Sequence, residues 1–204
     1  QMDLSNLDQV RDVIRTIMPQ LIVNPAAYTA VDLAERETDL AMRINAEAPE
    51  VMAIEAKKLG AAMIHYSTDY VFDGDKAESY TEENTPNPQS VYGRSKLTGE
   101  LAIQSSGIPH LILRTSWVYG ARGKNFLLTV RRLAQERDEL RIVADQFGAP
   151  TWCRTIAEAT AHALIQMQRY SGTQKDADLD PDVWLSRGGP VSYTHLTLPT
   201  TPYV

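Results

Sequence analysis

The chain has 204 residues, 43% of them hydrophobic and 23% charged, with a formal net charge of −6. That length and balance suit one substantial core, or one domain with part of a second. The acidic excess disfavours nucleic acid as a partner, since phosphate binding rests on surplus Lys and Arg, and no apolar run approaches the ~20 residues of a membrane-spanning helix.

Leu7, Val10, Val13, Ile14 and Ile17 recur at helical spacing, with Ser5 and Asp8 placed like a capping box. Pro19 ends that helix, and Leu21-Ile22-Val23-Asn24 reads as a buried strand. Helical patterns follow over 31–44 and 46–59, the second stopped by Gly60. Residues 62–67 form the next strand, and a polar loop rich in acidic and proline residues runs from Asp73 to Ser90. The helix that carries Tyr92 closes at Gly107, and 110–114 is a third strand. A helix over 125–136 and a fourth strand over 140–143 come next. Thr155 and Glu158 are placed like a second capping box, opening a helix to about Arg169, and Trp152 and Trp184 read as packing residues.

Strand and helix alternating through short connections predict an α/β fold: a doubly wound parallel sheet covered on both faces. Ligands of such sheets bind beyond the carboxyl ends of the strands. Asn24 to Ala27, Ser67 to Asp69 and Thr115 to Trp117 all fall at predicted strand ends and so converge on one edge. The first strand, Gly-rich turn and helix that seat a dinucleotide pyrophosphate are not visible, because no G-x-G-x-x-G occurs. The expectation is a fold entered part-way, lacking its first strands and binding cofactor poorly on its own. From Pro190 to Val204 no residue is charged and Thr and Pro abound, so 192–204 is expected to be a non-native tail.

The single cysteine, Cys153, excludes an internal disulfide and suits a reducing compartment, and it reads as a small buried residue. The four histidines show no zinc-ligand spacing, so no metal is expected. His65 and His110, at predicted strand starts, read as structural. A soluble, cytoplasmic protein is expected.

The chemistry lies at Tyr92 and Lys96. Tyr-x-x-x-Lys on a helix puts both side chains on one face, one turn apart. An ammonium beside a phenol lowers the tyrosine pKa from about 10, giving a proton donor and acceptor suited to carbonyl reduction or alcohol oxidation.

The segments Val23 to Asp32, Tyr66-Ser67-Thr68-Asp69-Tyr70-Val71-Phe72-Asp73-Gly74, Asn87 to Glu100, Leu113-Arg114-Thr115-Ser116-Trp117-Val118-Tyr119-Gly120 and Asp145 to Thr151 together resemble the extended short-chain dehydrogenases. Within that group the chain is most similar to the dTDP-4-dehydrorhamnose reductases, from about Asp3 to Ser192. Pro25 departs from the small residue usual there.

The resemblance implies a Rossmann-like NAD(P)-binding domain over 1–145 and part of a substrate-binding region over 146–191. It implies NADPH or NADH as cofactor and a dTDP-sugar as substrate, with the C4 ketone of dTDP-4-dehydro-L-rhamnose reduced to dTDP-L-rhamnose. The discriminating residue for NADPH against NADH lies after the second strand of the complete fold. A homodimer would suit the family.

By the same resemblance Thr68, Tyr92 and Lys96 are catalytic. Ala26, Ala27, Tyr28, Thr29 and Tyr66 would contact the cofactor, joined by Asp69, Tyr92 and Lys96. Thr68, Asp69, Tyr70, Trp117 and Asn125 would contact the substrate. Two alternatives stay open: another nucleotide-sugar epimerase, dehydratase or reductase, and a non-catalytic regulatory subunit on the same fold, like that of methionine adenosyltransferase.

Overall fold

The computed structural model describes residues 2–142, 148–172 and 191–192. The chain divides into two compact units between Arg114 and Thr115, with Val191 and Ser192 counted in the first.

The first unit opens with helix α1, Leu7–Ile17. Its N-cap is Asn6, whose side chain accepts from the Gln9 N–H at 3.0 Å, while Ser5 donates to Asp3 instead of capping. Met18 closes the helix in the left-handed region at φ 48° ahead of Pro19. Strand β1, Leu21–Asn24, is an edge strand, so it is not buried throughout as its apolar run suggests: Val23 is 41% exposed and only Asn24 is buried.

The two expected helices over 31–44 and 46–59 are partitioned differently. Helix α2, Val31–Ala34, stops after one turn. From residue 38 to 59 the backbone is then helical throughout: α3, Thr38–Met42, a π-helical turn, Arg43–Glu47, and α4, Ala48–Leu59. Pro49 is the reason for the π turn, since proline has no N–H to return to the Asn45 carbonyl. The Ala48 N–H reaches back five residues to the Arg43 carbonyl instead. Gly60, at φ 66°, ends α4 in the left-handed conformation that glycine adopts without cost.

Strand β2, Ala62–Thr68, pairs in parallel with β1, from Leu21 opposite Ala62 to Asn24 opposite His65. His65 is therefore in the middle of its strand, not at its start. A 3₁₀ turn, Asp69–Val71, follows, and after the polar loop helix α5, Val91–Ser106, leads into β3, His110–Thr115. With the short β6, Val191–Ser192, the sheet order is β1-β2-β3-β6. The architecture is that of a Rossmann-like α/β sheet. Val10 and Ile14 of α1, Met52 and Ala56 of α4, Met63, Ile103 and Ile112 form one core cluster that welds three helices to the sheet.

In the second unit β4, Val118–Tyr119, pairs in parallel with β5, Thr151–Trp152. Helices α6, Phe126–Glu136, and α7, Cys153–Gly172, complete it. Residues 140–142 are irregular, and Ile142 is 52% exposed, so the expected fourth strand is absent over these residues. Helix α7 starts directly after β5, and Glu158 meets Arg154 at 3.0 Å on its surface instead of closing a capping box. Cys153 is exposed, and Trp152 is 44% exposed with the Arg154 guanidinium 5.7 Å over its ring, so neither is a buried packing residue. Val143, Asp145 to Phe147, Trp184 and 193–204 lie outside the described residues. Among the described residues no helix is long and apolar enough to cross a membrane.

Candidate active site

The start of α5 is pinned by two side chains. Ser90 caps it, accepting from the Gly93 N–H at 3.0 Å, and Glu35 accepts from the Val91 N–H at 2.8 Å. Gly93 makes room for the neighbouring 3₁₀ turn, since a Cβ there would collide with the Tyr70 carbonyl and press on Pro88. The turn therefore lies against the helix next to Tyr92. Tyr70 stacks edge-on to Tyr92, with ring centroids 5.5 Å apart at 74°, and the Thr68 hydroxyl draws the pKa of the Tyr92 phenol downward. Thr68 also accepts from the Tyr70 N–H at 3.2 Å and donates to Asp69 Oδ1 at 3.1 Å. It caps the turn next to Tyr92.

The electrostatics depart from the spacing argument. Burial pushes the Tyr92 phenol up to about 12, with the Thr68 hydrogen bond pulling the other way and the charge of Asp69 adding to the rise. Tyr92 is only 9% exposed, so loss of hydration outweighs the help an ammonium gives to a phenolate. Lys96, 1% exposed, is itself pushed down to about 8 by burial, against the pull of Glu100. Its nitrogen is held by His65 Nε2 at 3.1 Å and the Tyr66 carbonyl at 2.7 Å. At neutral pH the helix therefore carries a protonated phenol at Tyr92 and a buried cation at Lys96.

The Tyr28 backbone is fixed by a residue that motif reading passed over. Asn45, 1% exposed in the π turn, accepts from the Tyr28 N–H at 2.8 Å and donates to the Tyr28 carbonyl at 2.9 Å. The same amide group donates to Ser95 at 3.0 Å, tying the Tyr28 loop to α5. Gly99 permits this approach, since a Cβ there would strike the Asn45 carbonyl. The signal was available: a proline four residues after Asn45 in a helical pattern frees that carbonyl, and π turns gather at functional sites.

Tyr28 packs beside the cluster of Ala34, Ala41, Val91 and Tyr92, and its hydroxyl donates to Glu37 at 2.7 Å. Ala27 and Tyr28 are half-buried, whereas Ala26 and Thr29 are exposed. Asn24, below them, places its amide nitrogen 3.2 Å from His65 Nδ1. Structure thus gathers Thr68, Tyr70 and Tyr92 through contacts, binds Lys96 to the Tyr66 backbone, and packs Tyr28 beside the Tyr92 cluster. Under the site, Arg114 Nη2 donates to Glu100 Oε2 at 2.6 Å and Arg114 Nε shares the same carboxylate, with the guanidinium 5.1 Å over the Phe72 ring.

Trp117 and Asn125 belong to the second unit. Trp117 takes a positive φ of 45°, is 37% exposed, and sets its ring edge-on to Phe126 at 5.3 Å. Gly148 leaves space for that indole, which a Cβ would strike. Asn125 caps α6, accepting from the Leu128 N–H at 3.0 Å and donating to the Gly120 carbonyl at 2.9 Å. Among the described residues no cluster of three or more His, Cys, Asp or Glu could hold a metal ion.

Residues 1–175 match the family model described as the RmlD substrate binding domain. A dTDP-4-dehydrorhamnose reductase of Burkholderia thailandensis is 51% identical over 167 residues, 82% of this chain and 56% of that protein. One from Escherichia coli is 50% identical over 162 residues, 79% of this chain and 54% of its own length. The crystal structure of a Bacillus anthracis dTDP-4-dehydrorhamnose reductase in complex with NADP superposes with a TM-score of 0.71 at 45% identity, covering 74% of this chain and 54% of that one. The chain spans about half the length of the curated relatives it matches.

Proposed function

The chain belongs to the RmlD substrate binding domain family, and from that premise we propose that it forms part of an NAD(P)H-dependent reductase of a nucleotide sugar, converting dTDP-4-dehydro-L-rhamnose to dTDP-L-rhamnose. The observation that carries the reading is the Thr68 to Val71 turn set against Tyr92, with Tyr70 edge-on to its ring and Lys96 buried one helical turn on. A phenol near 12 is fully protonated at neutral pH, which is what an acid must be before it donates to a forming alkoxide.

Small residues suit a nicotinamide at the end of β1, where Ala26 and Ala27 leave the backbone open to close approach and Lys96 keeps one N–H beyond its two partners. When bound, that cofactor supplies the hydride for the C4 carbon. Tyr92 gives its proton to the oxygen, and Thr68, turning its one O–H away from Asp69 Oδ1, donates a hydrogen bond to the same oxygen as its charge develops. Lys96 offers positive charge to the phenolate left behind. Tyr66, Tyr28 and Thr29 line the cofactor side in this reading, Asp69 and Tyr70 shape the sugar side, and Trp117 offers a stacking face to the nucleotide sugar, with Asn125 at a helix N-terminus nearby in sequence.

The test is loss of reduced-nicotinamide absorbance with dTDP-4-dehydrorhamnose, in a chain extended to the relatives' full length, beside a Tyr92→Phe variant. A fall of at least about a hundredfold in the variant is expected of a lost general acid. Cofactor and sugar binding without turnover in the unsubstituted protein would move the reading to a different nucleotide sugar or a regulatory subunit.

A further inference from the structure

We propose that His65 is a positioning residue for Lys96: its buried imidazole holds the lysine nitrogen so that a single N–H remains to be aimed at the reacting groups. This rests on the reductase reading above. His65 is 0% exposed, and Nε2 faces Lys96 Nζ at 3.1 Å, where it accepts from the ammonium and leaves the ring proton on Nδ1. The Tyr66 carbonyl takes a second lysine proton at 2.7 Å. Of three donors on an ammonium, two therefore have fixed partners, which sets the direction of the third.

Burial, and the charge of Lys96 beside it, keep His65 well below its ordinary pKa, so the ring is neutral at physiological pH. Neutrality matters to the argument. A carboxylate in this place would bind the ammonium more tightly but cancel its charge. An aliphatic side chain would leave a buried donor without a partner, at the full desolvation penalty. A neutral acceptor fixes the position and leaves the positive charge in force.

The experiment compares His65→Leu with His65→Gln in the full-length protein, since the glutamine amide carries an acceptor out to about the reach of Nε2. For His65→Leu, kcat is expected to fall by ten- to about a hundredfold with little change in the KM for the sugar, the range that a small misplacement of a reacting group produces. His65→Gln should keep most of the turnover at a matched thermal midpoint. Equal losses in both variants, or a loss confined to KM, overturn the proposal. A second readout needs neither turnover nor a His65 variant: the ring-nitrogen spectrum of 15N-histidine-labelled protein, with and without Lys96→Met. A displaced His65 Nε2 resonance is expected in the variant, and an unmoved one overturns the proposal. If the unsubstituted protein oxidises no cofactor, the reductase reading falls, and the ring spectrum still decides on His65.

Discussion

Asn45 grips the Tyr28 peptide from both sides, accepting from its N–H at 2.8 Å and donating to its carbonyl at 2.9 Å. A side-chain amide thereby plays the part of a neighbouring strand and holds the loop after β1 against α5. It can do so because the π turn points Asn45 inward and Gly99 lets the two helices close on each other.

Asn45→Ala removes one buried and two part-buried hydrogen bonds and leaves the Tyr28 N–H and carbonyl to find other partners, while Ser95 keeps its bond to the Tyr92 carbonyl. Each buried group left unsatisfied costs about 1–3 kcal/mol. A fall in unfolding free energy of at least about 2 kcal/mol in a urea titration is expected. A variant as stable as the parent would show that the grip contributes nothing.

Lys96 gives a pH signature. Its folded pKa, about 8, is depressed from the ordinary lysine value of 10.5, so between those values the unfolded chain binds more protons than the folded one. Stability from this group must therefore rise with pH across that window and carry its penalty below it. Tyr92, raised from 10.0 to about 12, acts oppositely, and its contribution is lost only above 10. Between pH 8 and 10 the urea midpoint of the unsubstituted protein should climb relative to Lys96→Met, and parallel curves would refute the depressed lysine.

Gly93→Ala drives a methyl group into the Tyr70 carbonyl, a backbone atom that cannot turn aside. Overpacking of this kind costs about 1–3 kcal/mol. The variant is expected to lose both stability and the edge-on contact of Tyr70 with Tyr92, seen as a change in near-ultraviolet circular dichroism. An unchanged spectrum and midpoint would mean that the turn sits further from the helix.

Glu100 and Arg114 form a buried ion pair, with side chains 0% and 3% exposed. Glu100→Ala strands the guanidinium and should cost about 3–5 kcal/mol. Replacing the pair by Leu and Met together should recover much of that loss, because well-packed apolar residues tolerate the site where a lone charge does not. A double variant as unstable as Glu100→Ala would show that the pair holds the structure by more than mutual charge compensation.

Much of the fold could be read from local pattern. Gly60 and Gly107 stop their helices as glycine does at a left-handed cap, and the boundaries of α5 and β3 lie within a residue of the expected ones. Where reading failed, a neighbour had overruled local preference. Ser5 lost the cap of α1 to Asn6, and Leu21 to Val23 looked buried although β1 has a partner on one side only. Thr155 resembled a helix start, but the chain was already helical from Cys153.

The sequence by itself determined the order of most strands and helices and put Tyr92 and Lys96 in view, because helical spacing, turn residues and side-chain chemistry are properties of neighbours in the chain, while Thr68 came into view through the resemblance to a known family. Only the tertiary structure decided that Tyr92 rests as a protonated acid, that Lys96 leans on His65, and that Asn45 holds Tyr28. Those outcomes depend on desolvation and on hydrogen bonds between residues 31 positions apart for Lys96 and His65, and 17 for Asn45 and Tyr28. Both arise only when strands and helices distant in sequence are packed together and water is excluded between them.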